Sequence, residues 1–383
     1  MTPPDKNRPA VLVYDLQADA DQFISRQLDL AEVDAFYAGS LKEARELLAG
    51  KKHISLVLVD LESVEEGLLL IREIYEDHPL MQSVAIVPQN QIKLLRQGMN
   101  HGAADFLVKP LSEKTFQEVL SNVMVAVQAR REILRTRKKY VTMHKDLEIA
   151  GKIQHSMLPA PDLDHKNVSL FASLTPAADI GGDFFDYFFI DQTHLAFLIG
   201  DVSGKGISAA LFMAVSRSLL RSNGLEKISP AKCLEKTNQM LTHNNDAGMF
   251  VTVFYGIVDL ENGHLVYSNA GHNPPYIVRN KGGLEPLEKT GDMALGIFEE
   301  NIYHQKETRL HSGDTIYLYT DGIVEAFDQT YQFFGNTRME KNLEKQGSVS
   351  CRKLIESNLA ELKKFTEGMA QSDDITAMAL KIV

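Results

Sequence analysis

Gly200-Asp201-Val202-Ser203-Gly204-Lys205-Gly206 follows an apolar run, His194-Leu195-Ala196-Phe197-Leu198-Ile199, and leads into a helix-forming stretch over 209–220. A run of this kind reads as a buried strand, and the glycines after it leave backbone that a ligand can approach. The strand therefore delivers one carboxylate, Asp201, to an open turn. Nucleotide templates do not fit this turn. A Walker loop needs four residues between its glycines and a hydroxyl residue after the lysine, whereas only Asp201, Val202 and Ser203 separate Gly200 from Gly204, and Gly206 follows Lys205. A dinucleotide fingerprint would lack its third glycine, and no Gly-x-Ser-x-Gly elbow occurs.

Outward from this turn, residues 160–383 join strand-like runs through short connections. The run over 249–258 and that over 264–269 flank Asn262-Gly263, which is hairpin chemistry. Helical patterns at 209–220, 230–242 and 351–365 interrupt the strands, so the spacing predicts an α+β domain with antiparallel sheets. Four acids share a strand boundary: Asp183 in Ile180-Gly181-Gly182-Asp183-Phe184-Phe185-Asp186, Asp201, Asp321 after Thr315-Ile316-Tyr317-Leu318-Tyr319-Thr320, and Asp373 with Asp374 before the last strand. Singly, each reads as a turn or a solvated boundary. Gathered, they would need a counter-charge, because two carboxylates ~4 Å apart repel by about 4 kcal/mol at an effective dielectric of 20. Lys205 is the one basic residue beside them. Oxygen ligands without cysteine or histidine suit magnesium or manganese rather than zinc.

Composition bounds the partners. A chain of 383 residues has room for two or three units, and a formal net charge of −11 argues against broad nucleic-acid binding. Cys233 and Cys351 stand far apart, as in a reducing compartment. The first ten residues are polar and proline-rich, and no apolar run approaches the ~20 residues of a membrane helix. A cytoplasmic protein with no membrane or nucleic-acid partner is expected.

Residues 10–115 alternate buried-strand runs with amphipathic segments, which implies a parallel sheet covered on both faces, with functional groups at the strand ends. Asp15, Asp60 and Lys109 (before Pro110) stand there. With Gly102-Ala103-Ala104-Asp105 leading into Lys109-Pro110, this segment resembles the response-regulator receiver domain, a doubly wound five-stranded α/β fold assigned to residues 1–128. The resemblance implies Asp60 as phosphoacceptor, Asp15 as part of a magnesium site, Lys109 as phosphoryl contact, and a sensor histidine kinase as partner. Leu16 stands where a second acid belongs and Val87 where a hydroxyl residue belongs, and the loop after Asp60 is short and lacks proline. Losing a carboxylate weakens a hard-cation site, so a receiver fold kept for docking or dimerisation stays open as an alternative.

No breaker except Gly151 interrupts 115–158, which reads as one long helix. Ile133, Tyr140 and Leu147 recur every seven residues beside Leu134 and Val141, a coiled-coil seam weakened by Arg130, Arg137 and His144. Residues 129–158 are therefore expected to be a helical linker, and a homodimer through linker or receiver is expected. The six basic residues between Arg130 and Lys139 read as a solvated face. Pro159 and Pro161 end the helix.

From about residue 147 onward the pieces Leu147-Glu148-Ile149-Ala150, Gly181-Gly182-Asp183-Phe184-Phe185-Asp186, Gly200 to Gly206, Phe250-Val251-Thr252, Asn269-Ala270-Gly271-His272-Asn273-Pro274-Pro275, Leu295-Gly296-Ile297, Tyr319-Thr320-Asp321-Gly322 and Asp373-Asp374-Ile375-Thr376 follow in order. In this they resemble the metal-dependent protein phosphatases (PPM), in the bacterial SpoIIE/RsbU-like branch. The resemblance implies a β-sandwich flanked by helices over 159–383 and two divalent cations, Mn2+ or Mg2+. Asp183, Asp201, the Val202 carbonyl, Asp321 and Asp373 would hold them, with Asp186, Asp374 and His272 secondary; for His272, a turn residue held by its own loop is the alternative. It also implies a serine/threonine phosphatase acting on a STAS-type anti-sigma-factor antagonist. A non-catalytic module that sequesters its partner is the rival reading.

Overall fold

The computed structural model describes residues 9–15, 21–50, 53–243, 245–347 and 349–383. Leu16 and the first eight residues lie outside them. The chain divides into two compact units, Met1–Thr142 and Met143–Val383.

The first unit alternates strand and helix: β1 (Ala10–Tyr14), α1 (Asp21–Leu30), β2 (Asp34–Ala38), α2 (Leu41–Gly50), β3 (Ile54–Asp60), α3 (Val64–Asp77), β4 (Gln82–Val87), α4 (Ile92–Asn100) and β5 (Asp105–Val108). The strands pair in parallel in the order β2-β1-β3-β4-β5. Every residue of β1 and β3 is buried, because helices cover both faces of the sheet. Leu68 and Leu70 of α3 and Leu94 of α4 pack on one face. Ile24 and Leu28 of α1 pack on the other, with Phe116 and Val123 of α5 (Glu113–Met157). This is the doubly wound fold expected. Helix α5 runs on as one element, close to the 115–158 of the periodicity. Beyond its packed first turns Ile133, Tyr140, Val141, Ile149 and Ile153 are 49–71% exposed. Among the described residues no helix is long and apolar enough to cross a membrane.

The second unit continues with β6 (Asp162–His165), β7 (Val168–Thr175), β8 (Phe184–Phe189), β9 (His194–Val202), α6 (Ile207–Gly224), α7 (Pro230–Thr242), β10 (Val251–Asp259), β11 (His264–Ala270), β12 (Tyr276–Val278), β13 (Leu284–Pro286), β14 (Lys306–Arg309), β15 (Thr315–Tyr319), α8 (Asp321–Val324), α9 (Gly335–Gln346), α10 (Cys351–Phe365) and β16 (Ile375–Ile382). Two antiparallel sheets form, β14-β11-β10-β9-β8 and β13-β12-β15-β16-β7-β6. Strand alternation explains how they stack. On β9, Leu195, Phe197 and Ile199 face the inter-sheet core, meeting Ile316 and Leu318 of β15 and Met378 and Leu380 of β16. The alternate residues Ala196 and Leu198 face α6 and α7, while Tyr317, Tyr319 and Ala377 face α8 to α10. The result is a helix–sheet–sheet–helix sandwich.

Candidate metal centre

The same alternation places the acids. Asp201 continues the inward row of Leu195, Phe197 and Ile199, and Asp183 shares the parity of inward-facing Phe185. In the β8–β9 register Phe184 faces Gly200, so one step further Asp183 stands opposite Asp201. In the other sheet Tyr319 faces Ala377, so Thr320 stands opposite Thr376. Four inward side chains thus meet at one end of the sandwich.

Asp183 is buried and accepts hydrogen bonds at Oδ2 from Thr320 Oγ1 at 2.8 Å and from Thr376 Oγ1 at 2.6 Å. These hydroxyls belong to the opposite sheet, so they clasp the two sheets together at the site. Burial, and then the charge of Asp201, push the Asp183 carboxyl well above the usual range, while the two hydroxyls pull it back. Asp201, opposite Asp183, is itself pushed up to about 7, by burial first and then by Asp321 and Asp373. Asp321 is raised by burial, Glu325 and Asp373. Lys205 supplies the local cation, 3.0 Å from Asp373 Oδ2, and donates to the Ser372 carbonyl at 2.5 Å.

Asp374 has a different task from its neighbour. Its carboxylate accepts from the backbone N–H groups of Ala177 (2.8 Å), Gly182 (2.7 Å) and Asp183 (3.2 Å), so it shapes the loop that presents Asp183. A side chain at Gly181 would collide with that carboxylate, and one at Gly322 with the Asp374 carbonyl. At Gly182 a Cβ would press to 2.9 Å from the Val202 carbonyl, so glycine leaves that oxygen uncovered. Gln154 of α5 braces the loop, donating to the Gly181 carbonyl at 2.6 Å and accepting from its N–H.

Two sequence-derived candidates are not brought to the acids. Asp186 has the outward parity of Phe184 and Phe188, so it turns toward α6 and pairs with Arg217 at 2.9 Å and Arg221 at 2.7 Å. His272 is 4% exposed. Its Nε2–H donates to the Tyr319 carbonyl at 3.1 Å, which leaves Nδ1 to accept from Thr252 Oγ1 at 2.8 Å. Its own N–H is held by Asn269. Burial, partly opposed by the Tyr319 carbonyl, lowers it to about 4, so it is a neutral brace. Sequence reading missed Thr320, Thr376 and Gln154; strand parity could have flagged the threonines, but their partner lies on another sheet.

In the first unit Lys109 Nζ lies 2.5 Å from Asp60 Oδ2 and 2.7 Å from Glu62 Oε1. Asp60 is raised by burial, against Lys109, with Asp15 adding its charge. Val87 is buried, and its carbonyl accepts from the Lys109 N–H.

The donor set of the second unit is carboxylate and carbonyl oxygen, and burial with neighbouring acids raises Asp183, Asp201 and Asp321, so a hard divalent cation is the counter-charge that fits. Among the described residues no three acidic, histidine or cysteine side chains enclose an ion by themselves. Magnesium keeps several waters and needs only one or two carboxylates, so paired acids suit it.

The sequence model of Stage II sporulation protein E (SpoIIE) matches residues 191–383, just over half of the chain. The chain belongs to the SpoIIE family. Asp183 precedes the matched span. The response regulator receiver domain model matches residues 11–121. IcfG of Synechocystis sp. is 31% identical over 264 residues, 61% of this chain and 41% of IcfG. The phosphoserine phosphatase RsbU of Bacillus subtilis is 29% identical over 237 residues, 62% of this chain and 70% of RsbU. The chain thus spans less than half of IcfG. The SiaA-PP2C domain of Pseudomonas aeruginosa matches with a TM-score of 0.57 at 22% identity, covering 64% of this chain and 99% of that domain. The SpoIIE-type unit therefore has a PP2C phosphatase fold.

Proposed function

We propose that this SpoIIE-family chain is a metal-dependent serine/threonine protein phosphatase under the control of its receiver domain. The observation that carries the reading is the meeting of Asp183 and Asp201, in register at the end of one sheet, with their charges coupled to Asp321 and Asp373. Asp183, Asp201, Asp321, Asp373 and the Val202 carbonyl would hold two divalent cations, Mn2+ or Mg2+. The chemistry such ions supply is activation of water near neutral pH and neutralisation of phosphoryl charge. The chain's own groups do the positioning. Thr320 and Thr376 fix one oxygen of Asp183, Asp374 fixes the loop before it, and Lys205 holds Asp373.

The substrate class is a phosphorylated STAS-type anti-sigma-factor antagonist, in keeping with the likeness to RsbU. Residues 159–383 would carry catalysis, 129–158 the linker and a homodimer seam, and 1–128 the receiver, in the cytoplasm. Asp60 would take a phosphoryl group from a sensor histidine kinase, with Lys109 on the phosphoryl and magnesium beside Asp15. The rival reading is a module that sequesters its partner without chemistry.

Turnover of p-nitrophenyl phosphate and of a phosphoserine protein, with Mn2+ and after chelation, separates the two. Hydrolysis lost on chelation, and lowered at least about 100-fold by Asp201→Asn, is the expected result, in line with the loss of a group that stabilises the transition state. Binding without turnover, unchanged in Asp201→Asn, would favour sequestration.

A further inference from the structure

Two features flank α10, the first of them beside the acids, that hydrolysis of a small phosphate ester would not use. The first is a cavity of about 440 Å3 under the C-terminal half of α10, lined by Ala326, Phe327, Leu359, Leu362, Met369 and Ile375. Its volume falls in the ~300–1,000 Å3 range of ligand pockets. Gly322 and Ser372 also line it. Gly322 follows Asp321 and Ser372 precedes Asp373, so the socket shares a wall with the acidic site. That wall is braced: Gln371 Nε2 donates to the carbonyls of Thr175 at 2.9 Å and Asp373 at 2.7 Å. The Ser372 carbonyl meanwhile takes the hydrogen bond from Lys205.

The second feature is a groove of about 430 Å3 on the other flank of α10, against α9. Arg338, Lys341, Lys345 and Lys364 line it, with Glu361 as the one acid among its lining residues. Arg338 is fixed over the Phe365 ring at 4.5 Å and donates to the carbonyls of Phe333 and Phe334. Among the described residues no ion pair engages Lys341, Lys345 or Lys364. In a chain of net charge −11, an uncompensated basic groove is a local reversal of sign.

We propose that this surface docks the phosphorylated protein substrate, with an apolar residue near the phosphoserine entering the socket and an acidic face lying along the groove. The occupant follows from continuity with the acids on one side and from charge complementarity on the other. The inference rests on the phosphatase reading and adds to it how one protein substrate is chosen.

The test uses the full chain with Mn2+, p-nitrophenyl phosphate, and phosphoserine peptides in which a single leucine is stepped along either side of the phosphoserine, with an aspartate-rich or a lysine-rich tail. One leucine position should raise kcat/KM by about ten-fold, the worth of burying one such side chain. The aspartate tail should be preferred. Ala370→Trp, on an exposed position lining the socket, should erase the leucine preference while leaving p-nitrophenyl phosphate turnover unchanged. Met369→Ala should shift the preference from leucine to phenylalanine, and Lys341→Glu with Lys345→Glu should reverse the tail preference. No preferred leucine position, or an Ala370→Trp variant slowed equally on both substrate types, would overturn the proposal. If the wild type hydrolyses none of these esters, the phosphatase reading fails by itself. Fluorescence anisotropy of the same peptides then decides the docking: the same preferences retain it and their absence removes it.

Discussion

At the scale of single residues, His272 shows how a polar group can be essential to the site's frame without touching the chemistry. Both ring nitrogens are engaged inside the protein, one on the Tyr319 carbonyl and one on Thr252. Protonation would place a positive charge in a buried site, and burial is the main reason that the ring stays neutral. Its folded pKa of about 4 lies below the ordinary 6.5, so between these values the unfolded chain binds the proton that the folded chain refuses. Stability is therefore complete above pH 6.5 and falls as pH drops toward 4, by on the order of 3 kcal/mol. Urea midpoints of the second unit at pH 7 and pH 5 should differ more in the wild type than in His272→Gln; equal differences would remove His272 as the cause. The neighbouring acids Asp373 and Asp374 make a related point. Their sequence context marks both as boundary residues, but only the backbone path decides that one meets Lys205 and the other gathers three amides.

At the scale of elements, strand alternation in the folded sheets is what sorts the acids. Both parities of β8 are aromatic, so its sequence does not show which face Asp186 takes; packing places it with Phe184 and Phe188, outside the inward row. What the alternation cannot show is the partner: Arg217 and Arg221 stand one turn apart on α6 and take opposite oxygens of Asp186. Since Arg217 is only 8% exposed, Asp186→Ala leaves a buried guanidinium without its counter-charge. Such a loss is expected to cost about 3 kcal/mol or more, seen as a lower urea midpoint, while Mn2+ affinity measured by titration calorimetry stays as in the wild type. A fall in affinity matching that of Asp201→Asn would return Asp186 to the site. Helices α7 and α10 were legible because Ser229 and Ser350 cap them and their apolar faces repeat. Helix α9 was not, because its residues are mostly polar and its burial comes from packing on α10 and the second sheet.

At the scale of the whole molecule, two units with separate cores should unfold separately. Calorimetry of the full chain is expected to show two transitions. Mn2+ should raise the one belonging to the SpoIIE-type unit, by mass action on its folded form, and Asp201→Asn should abolish that rise. A single merged transition would mean that the units melt as one. The division was legible from the change in connection style, helices between parallel strands first and hairpins later. The acids' meeting point was legible only as a family likeness, since it depends on how two sheets are set against each other.

That setting has a consequence of its own. Asp183 travels with one sheet, and the two hydroxyls that grip it travel with the other. Moving β15 and β16 two residues along β8 would keep every apolar side chain on its proper face. The sandwich would still be filled, and its secondary structure would be unchanged. Both threonines, however, would be carried out of reach, and the carboxylate would lose its orientation. The acidic end thus works as a register mark for the fold: it separates a sandwich that is correctly aligned from one that is merely well packed.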